Sequence, residues 1–260
     1  MELSASDIDD IVTKRRDFLS TLRDGSATKP ELVDRLETSR STVDRAIDDL
    51  ERYDLVRRPD DSYELTMAGK AAYERHRNYL DELSAIGQAR EIIASLSPEV
   101  PFSHDLLADA KIELAEAHDP HQPIELAGEI ISDATRLRKV SPAIFPICVD
   151  VLKKRAVNGL SLGLVVPSDV LEAMASRYSD EIQCLDRDEH QVYELTETPP
   201  YGLWVADTPD GQHVGLMPTS DTGVRGLIVT DDDDACRWAL DQYEQYRERG
   251  TLVTRIHDRA

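Results

Sequence analysis

Between positions 39 and 45 the chain gathers Ser39, Arg40, Ser41, Thr42 and Arg45, a run of hydroxyl and guanidinium groups. Guanidinium groups can bond guanine through two hydrogen bonds, and hydroxyls can bond bases or phosphate oxygens. Arg57 and Arg58 follow, with charge suited to neutralising phosphate, and Lys29 precedes the run. These eight residues (Lys29, Ser39, Arg40, Ser41, Thr42, Arg45, Arg57 and Arg58) form the candidate contact set for double-stranded DNA.

Such side chains read a duplex only if something holds them at a groove. Thr28-x-x-Glu31 is a capping box with Pro30 in the first turn, and Leu32, Val33 and Leu36 recur at helical spacing, so a helix starts there and stops near Glu37. After a turn at Thr38 and Ser39, with Ser39 as cap, Val43, Ala46, Ile47 and Leu50 form one stripe of a second helix. Arg40, Ser41, Asp44, Arg45 and Asp48 fall on the other side. Leu55, Val56, Tyr63 and Leu65 flank Pro59-Asp60-Asp61-Ser62, which is hairpin chemistry. Helix, turn, helix and ribbon in that order describe a winged helix-turn-helix, whose second helix enters the major groove N-terminus first. A winged helix used only for protein contacts or dimerisation is the alternative.

With 260 residues, 40% of them hydrophobic, the chain can build one or two cored domains. No run approaches the roughly 18 to 20 apolar residues that cross a bilayer, and the first ten residues are acidic where a secretory signal would be basic, so the expected location is cytoplasmic. Cys148, Cys184 and Cys236 are spaced for neither a disulfide framework nor a CxxC metal site, and buried thiols are the expectation. The formal net charge is −21, which argues against DNA until its distribution is read. Residues 1–90 hold 15 Lys and Arg against 20 Asp and Glu, whereas residues 91–260 hold 15 against 31, so most of the acidity lies outside the reading head. The 23 Arg and 7 Lys set among 51 acidic side chains look like the surface of a protein from a salt-loving archaeon. In molar salt the Debye length falls to about 3 Å, so long-range repulsion from DNA is quenched and local contacts decide.

Ile8, Ile11, Val12, Phe18, Leu19 and Leu22 predict one first helix ending at Asp24-Gly25. Thr66 is placed to cap a long helix from Met67 to about Leu96, with Tyr73, Leu80, Leu83, Ile86 and Ile93 on a loose stripe. That stripe can pair with a second chain or pack within one subunit; the sequence leaves both open. Beyond residue 100 short strands and helices alternate: strand 111–117, helix 124–136, strand 137–140, helix 146–157, strand 161–166 and a helix capped by Ser168. Strands at 192–196, 201–206, 213–217 and 226–230 and a last helix to Arg249 follow. The alternation implies a partly parallel sheet covered on both faces, and the late strands an antiparallel meander. The expected partition is a winged helix at 1–66, a linker and dimerisation helix at 67–97, and a mixed α/β sensor or oligomerisation domain at 98–260.

The stretches SRSTVDRAIDDLE, YELTMAG, LLADAKIELAEAHDPHQP, RKVSPAIFP, VNGLSLGLVVPSDVLE, PYGLWVAD and CRWALDQYEQY carry a likeness across nearly the whole chain. It resembles archaeal winged-helix transcriptional regulators, abundant in haloarchaea, whose second part is the middle domain of the methanogenesis regulatory protein. The resemblance implies an α+β multidomain fold, a sequence-specific regulator and a C-terminal sensing or assembly domain. That domain is also similar to catalytically dead phospholipase-D-like effector domains. The ribbon tip Pro59-Asp60-Asp61 is more acidic than the glycine and arginine of such wings, which puts its contact with the minor groove in question.

Phospholipase-D chemistry needs HxKxxxxD, and none of the seven histidines has lysine two residues on. GxxxxGK[ST] and GxGxxG are also missing, and the one GxSxG match, Gly159-Leu160-Ser161-Leu162-Gly163, opens a strand where a nucleophile elbow would close one, so no enzyme and no cofactor are expected. His118-Asp119-Pro120-His121 resembles part of a metal site, but Pro120 sets it in a loop without further ligands at the usual spacing, so no metal is expected. Asp231 to Asp234 reads as a helix start. Tyr201, Trp204 and Trp238 either line a pocket or fill a core, and the core is favoured. The expectation is therefore a homodimeric DNA-binding regulator with a possible small-molecule effector and no membrane. A ligand-independent architectural or partner-binding winged-helix protein is the rival.

Overall fold

The computed structural model describes residues 4–182, 185, 189–220 and 223–253. The chain divides into two compact units, Met1–Leu83 and Ser84–Ala260.

The first unit holds α1 (Ala5–Lys14), α2 (Arg16–Arg23), α3 (Lys29–Arg35), α4 (Arg40–Arg52), a ribbon of β1 (Val56–Arg57) and β2 (Glu64–Leu65), and the start of α5 (Met67–Ala94). The single first helix read from the apolar stripe is two helices, broken at Arg15, whose backbone leaves the helical region at φ −115° and ψ 19°. The stripe has a cation there, and its guanidinium reaches Asp49 of α4 at 2.7 Å while Ile11, Val12, Phe18, Leu19 and Leu22 are all buried. The capping box at Thr28 and Glu31 is formed, and Glu37 takes the left-handed conformation (φ 48°) that turns the chain toward α4. Leu19, Leu32, Val43, Ala46, Ile47 and Leu50 have no exposed surface. Each large side chain among them contributes about 1.5–3 kcal/mol of burial, which makes the α4 stripe the anchor of the unit.

Thr66 caps α5, its hydroxyl accepting the N–H of Gly69 at 3.0 Å. A Cβ at Gly69 would lie 2.0 Å from the carbonyl oxygen of Leu55, so only glycine lets α5 start against that backbone. The stripe expected along α5 is corrected. Tyr73 and His76 are buried in the first unit, and Ala85, Ala89 and Ile92 in the second, whereas Leu83 and Ile86 are exposed. Ala85, Ala89 and Ile92 thus hold the buried side of the helix in the second unit, and Leu83 and Ile86 turn outward.

The second unit is one mixed sheet of β3 (Lys111–Leu114), β4 (Arg136–Val140), β5 (Ser161–Pro167), β6 (His190–Leu195), β7 (Tyr201–Thr208), β8 (Gly211–Ser220), β9 (Gly223–Val224), β10 (Gly226–Thr230) and β11 (Thr251–Val253). Its order is β11-β6-β5-β4-β7-β8-β10-β3, with β9 beside β8. β4, β5 and β6 are parallel and the remaining pairings antiparallel, as the change of pattern along the sequence implies. One face carries α6 (Gln122–Ser132), α7 (Pro146–Ala156) and α8 (Ser168–Arg177) over Leu137, Leu162 and Leu164. The other carries α10 (Asp233–Arg249) and the end of α5 over Val140, Val165 and Val205. α6 ends four residues earlier than the apolar pattern suggests, because Arg136 already belongs to β4. Ser168 is not the cap of α8: Pro167 occupies that position and the Ser168 hydroxyl donates to the Leu195 carbonyl at 3.1 Å. The edge strand β11 has no apolar alternation to announce it.

Candidate nucleic-acid interface

α4 presents two faces of opposite character. Val43, Ala46, Ile47 and Leu50 are buried, and Arg40, Ser41 and Arg45 are exposed. Ser39 caps the helix: its Oγ accepts the Thr42 N–H at 3.2 Å and lies 3.0 Å from Ser41 Oγ and 2.8 Å from Thr42 Oγ1. Three hydroxyls thus share one small network at the helix start. Arg45 Nε donates to the Ser41 carbonyl at 3.2 Å, which aims the guanidinium back toward the N-terminus and leaves its terminal nitrogens unengaged among the described residues. Arg40 forms no ion pair among the described residues, although its field helps hold the Asp44 carboxyl below the usual range.

The first turn of α4 carries no acidic residue. α1, α2, α3, α6, α8 and α10 each carry at least one, and α5 and α7 share with α4 a first turn without any. In a chain with 51 acidic residues, this exposed helix start keeps its free N–H groups and positive dipole end uncompensated. That is the electrostatic condition for receiving an anion such as phosphate.

The ribbon cations are differently placed. Strand register sets Arg57 opposite Glu64, and the two side chains pair at 2.6 Å. Arg58 pairs with Asp61 at 3.1 Å and donates to the Asp60 carbonyl, so the acidic tip turns this cation inward on the ribbon. Lys29 bonds Asp44 at 2.6 Å. That hydrogen bond raises the lysine pKa and is the main cause of the lowered Asp44 pKa. Lys29 and Arg58 also lie over the ring of Tyr63, 5.7 and 5.6 Å from its centroid. The eight residues of the sequence reading therefore separate into an open group at α4 and a clasped group at Lys29, Arg57 and Arg58. The Arg57–Glu64 register was readable from the hairpin, but Asp44 reaching Lys29 depends on the packing of α3 on α4.

The other candidates resolve simply. His118 is exposed and paired with Glu116 at 3.1 Å, and no group of three or more potential metal ligands occurs among the described residues. Asp232 caps α10, accepting the N–H groups of Asp234 and Ala235 at 2.9 Å each. Tyr201 and Trp204 are core residues, and Trp204 lies against Gly215, where a Cβ would come within 2.2 Å of its ring. Cys148 and Cys236 are buried free thiols, with burial pushing Cys236 up to about 12, far from a reactive thiolate; Cys184 lies outside the described residues. No helix among the described residues is long and apolar enough to cross a membrane.

Residues 120–249, half of the chain, match the family model described as the methanogenesis regulatory protein FilR1, middle domain. Residues 6–88 match the model described as the HVO_A0261 N-terminal domain. No curated protein matches. Among solved structures, the chain is similar to TrmBL2, described as an archaeal chromatin protein with a novel mode of DNA binding, at 12% identity and a TM-score of 0.45, over 96% of this chain and 100% of that one. It is also similar to Nuc, a phospholipase D family member from Salmonella typhimurium, at 8% identity and a TM-score of 0.44, over 56% of this chain and 98% of that one. At such low scores and identities neither likeness carries an inference about what this chain does.

Proposed function

The chain belongs to the family of the methanogenesis regulatory protein FilR1, middle domain, and from that premise we propose a sequence-specific DNA-binding transcriptional regulator of a halophilic archaeon. It works in the cytoplasm as a homodimer, and a small molecule met by the C-terminal unit tunes its binding. The observation that carries this reading is the start of α4: hydroxyls, two open arginines and no carboxylate in the first turn, on the face opposite four buried anchors. Arg40, Ser41 and Arg45 read base edges in the major groove, and Ser39 and Thr42 meet the phosphate at its lip. Lys29, Arg57 and Arg58 act as weaker, sequence-independent phosphate contacts.

One winged helix covers a single half-site, and two heads about 34–36 Å apart multiply affinity by effective concentration. Tyr79, Leu83 and Ile86 on α5 are exposed at i, i+4 and i+7 and supply an apolar face for a twin helix. An effector changes DNA binding only if it prefers one arrangement of the two heads. The C-terminal unit is read as a phospholipase-D-like scaffold without its catalytic histidine and lysine pair, serving reception and assembly. Selection of bound fragments from a random duplex pool by the full chain in molar potassium chloride tests the reading. An enriched motif supports it, and recovery of fragments without preference removes it.

A further inference from the structure

The N-terminal ends of the parallel strands β4, β5 and β6 lie together, and there the sheet face under α10 changes character. Further along these strands that face is apolar, with Val140, Val165 and Leu195 buried. At the strand starts it presents Arg136, Arg138, Ser161, Gly163 and Gln191 instead, aligned as Arg136 beside Ser161 and Arg138 beside Gly163 beside Gln191. α10 continues over them with Tyr243 and Arg247, leaving an open cleft of about 390 Å³. A helix that merely packed on its sheet would have apolar residues here. We propose that this cleft is a binding site for a small metabolite carrying phosphate or carboxylate groups; as the receiving site for a signal, it rests on the regulatory reading above.

The donors are built in, and one of them lacks a good acceptor. Arg138 stands 3.5 Å from Asp207 Oδ1, too long for a good hydrogen bond, and its Nη1 is buried without an acceptor among the described residues. A buried guanidinium nitrogen left unbonded is costly, and an oxyanion in the cavity would remove that cost. Tyr243 is 4% exposed and lines the same cavity. It sits where Gly163 has no side chain; a Cβ there would lie 2.2 Å from the hydroxyl oxygen. Burial pushes this phenol up to about 12, so it stays a donor. Gln191 accepts the Tyr193 hydroxyl at 3.1 Å and keeps its amide hydrogens free to donate. Arg247 is held in place by Glu244 at 2.5 Å and by the ring of Tyr193, 5.7 Å from its guanidinium. Three guanidiniums, Arg136, Arg138 and Arg247, share the cavity wall with two carboxylates, Glu189 and Glu244, a small local excess of positive charge in a molecule of net −21, and the volume falls in the range of small-molecule sites.

The test is thermal melting and calorimetric titration of the full chain with inorganic phosphate and, separately, with succinate, at ionic strength held constant with potassium chloride. The proposal expects a saturable response to at least one, and the two arms tell a phosphate preference from a carboxylate preference. Arg138→Gln and Tyr243→Phe should each weaken that response by about tenfold or more, and Arg177→Ala, on exposed α8 surface outside the cleft, should leave it unchanged. Tyr243→Phe keeps the ring, so its melt without ligand separates lost binding from lost folding. No saturable response to either anion, or one equal in wild type and both cleft variants, overturns the proposal. Saturable binding without any change in affinity for selected DNA keeps the cleft as an anion site and removes its signalling role. DNA affinity that answers to another metabolite while the cleft stays silent overturns the cleft and leaves the regulatory reading standing.

Discussion

The start of α4 and the ribbon behind it carry the same side-chain chemistry and differ in what those side chains touch. At α4, Arg40 and Arg45 have no carboxylate within ion-pair distance among the described residues. On the ribbon, Arg57 and Arg58 are paired with Glu64 and Asp61. Availability, more than the presence of positive charge, therefore separates the proposed reading surface from the proposed supporting one. These ribbon pairs are solvent-exposed and worth about 0–1 kcal/mol each, so phosphate can compete for the arginines, but each contact made costs a pair.

Substitutions can break or sharpen that contrast. Arg45→Ala should lower affinity for selected DNA by about 1–3 kcal/mol and relax preference at one base position, checked by anisotropy titration over single-base variants of the site. If scrambled DNA loses as much, Arg45 belongs with the ribbon. Ser39→Ala removes the cap of α4 and should cost about 1 kcal/mol of stability in a denaturant melt of the full chain. Arg58→Ala should weaken all sequences alike by less than about 1 kcal/mol, because Asp61 already holds that guanidinium. Glu64→Gln frees Arg57 and should strengthen binding to every duplex slightly, steepening the salt dependence by about one ion; an unchanged slope would mean Arg57 does not face DNA. The smallest effect concerns pH. Hydrogen bonds from Arg15 and Lys29 hold Asp49 and Asp44 below the ordinary value of 3.8, so their stabilising contribution is full above that value and is lost as pH falls below it. Acid melts of Arg15→Gln should show a shallower loss than wild type.

The reading head was legible because each of its signals is local. A capping box, an apolar stripe and a turn-forming run each lie within a few residues, and α3, α4 and the ribbon follow them. The break at Arg15 was not legible, since it depends on Asp49 reaching across from α4. The same holds for α5: spacing puts Leu83 and Ile86 on a stripe, but Ala85, Ala89 and Ile92 hold the buried side, which depends on the sheet packed against the helix. In the second unit the strands other than β9 and β11 were visible and their neighbours were not, so the cleft under α10 left little local signal. Its sequence trace is the alternation in Arg136-Leu137-Arg138, where a covered strand ought to be apolar on both sides.

The first turn of α5 is fastened in several ways to one short stretch of backbone. The Thr66 hydroxyl donates to the Asp54 carbonyl at 2.6 Å, the Thr66 N–H donates to the Leu55 carbonyl at 3.0 Å, and Gly69 is pressed against that same carbonyl. Such a joint has no slack. Torsion applied to this end of the helix cannot dissipate in a loose hinge there; it must be handed to the segment that closes α4 and opens the ribbon, so both would turn together like a key and its bow.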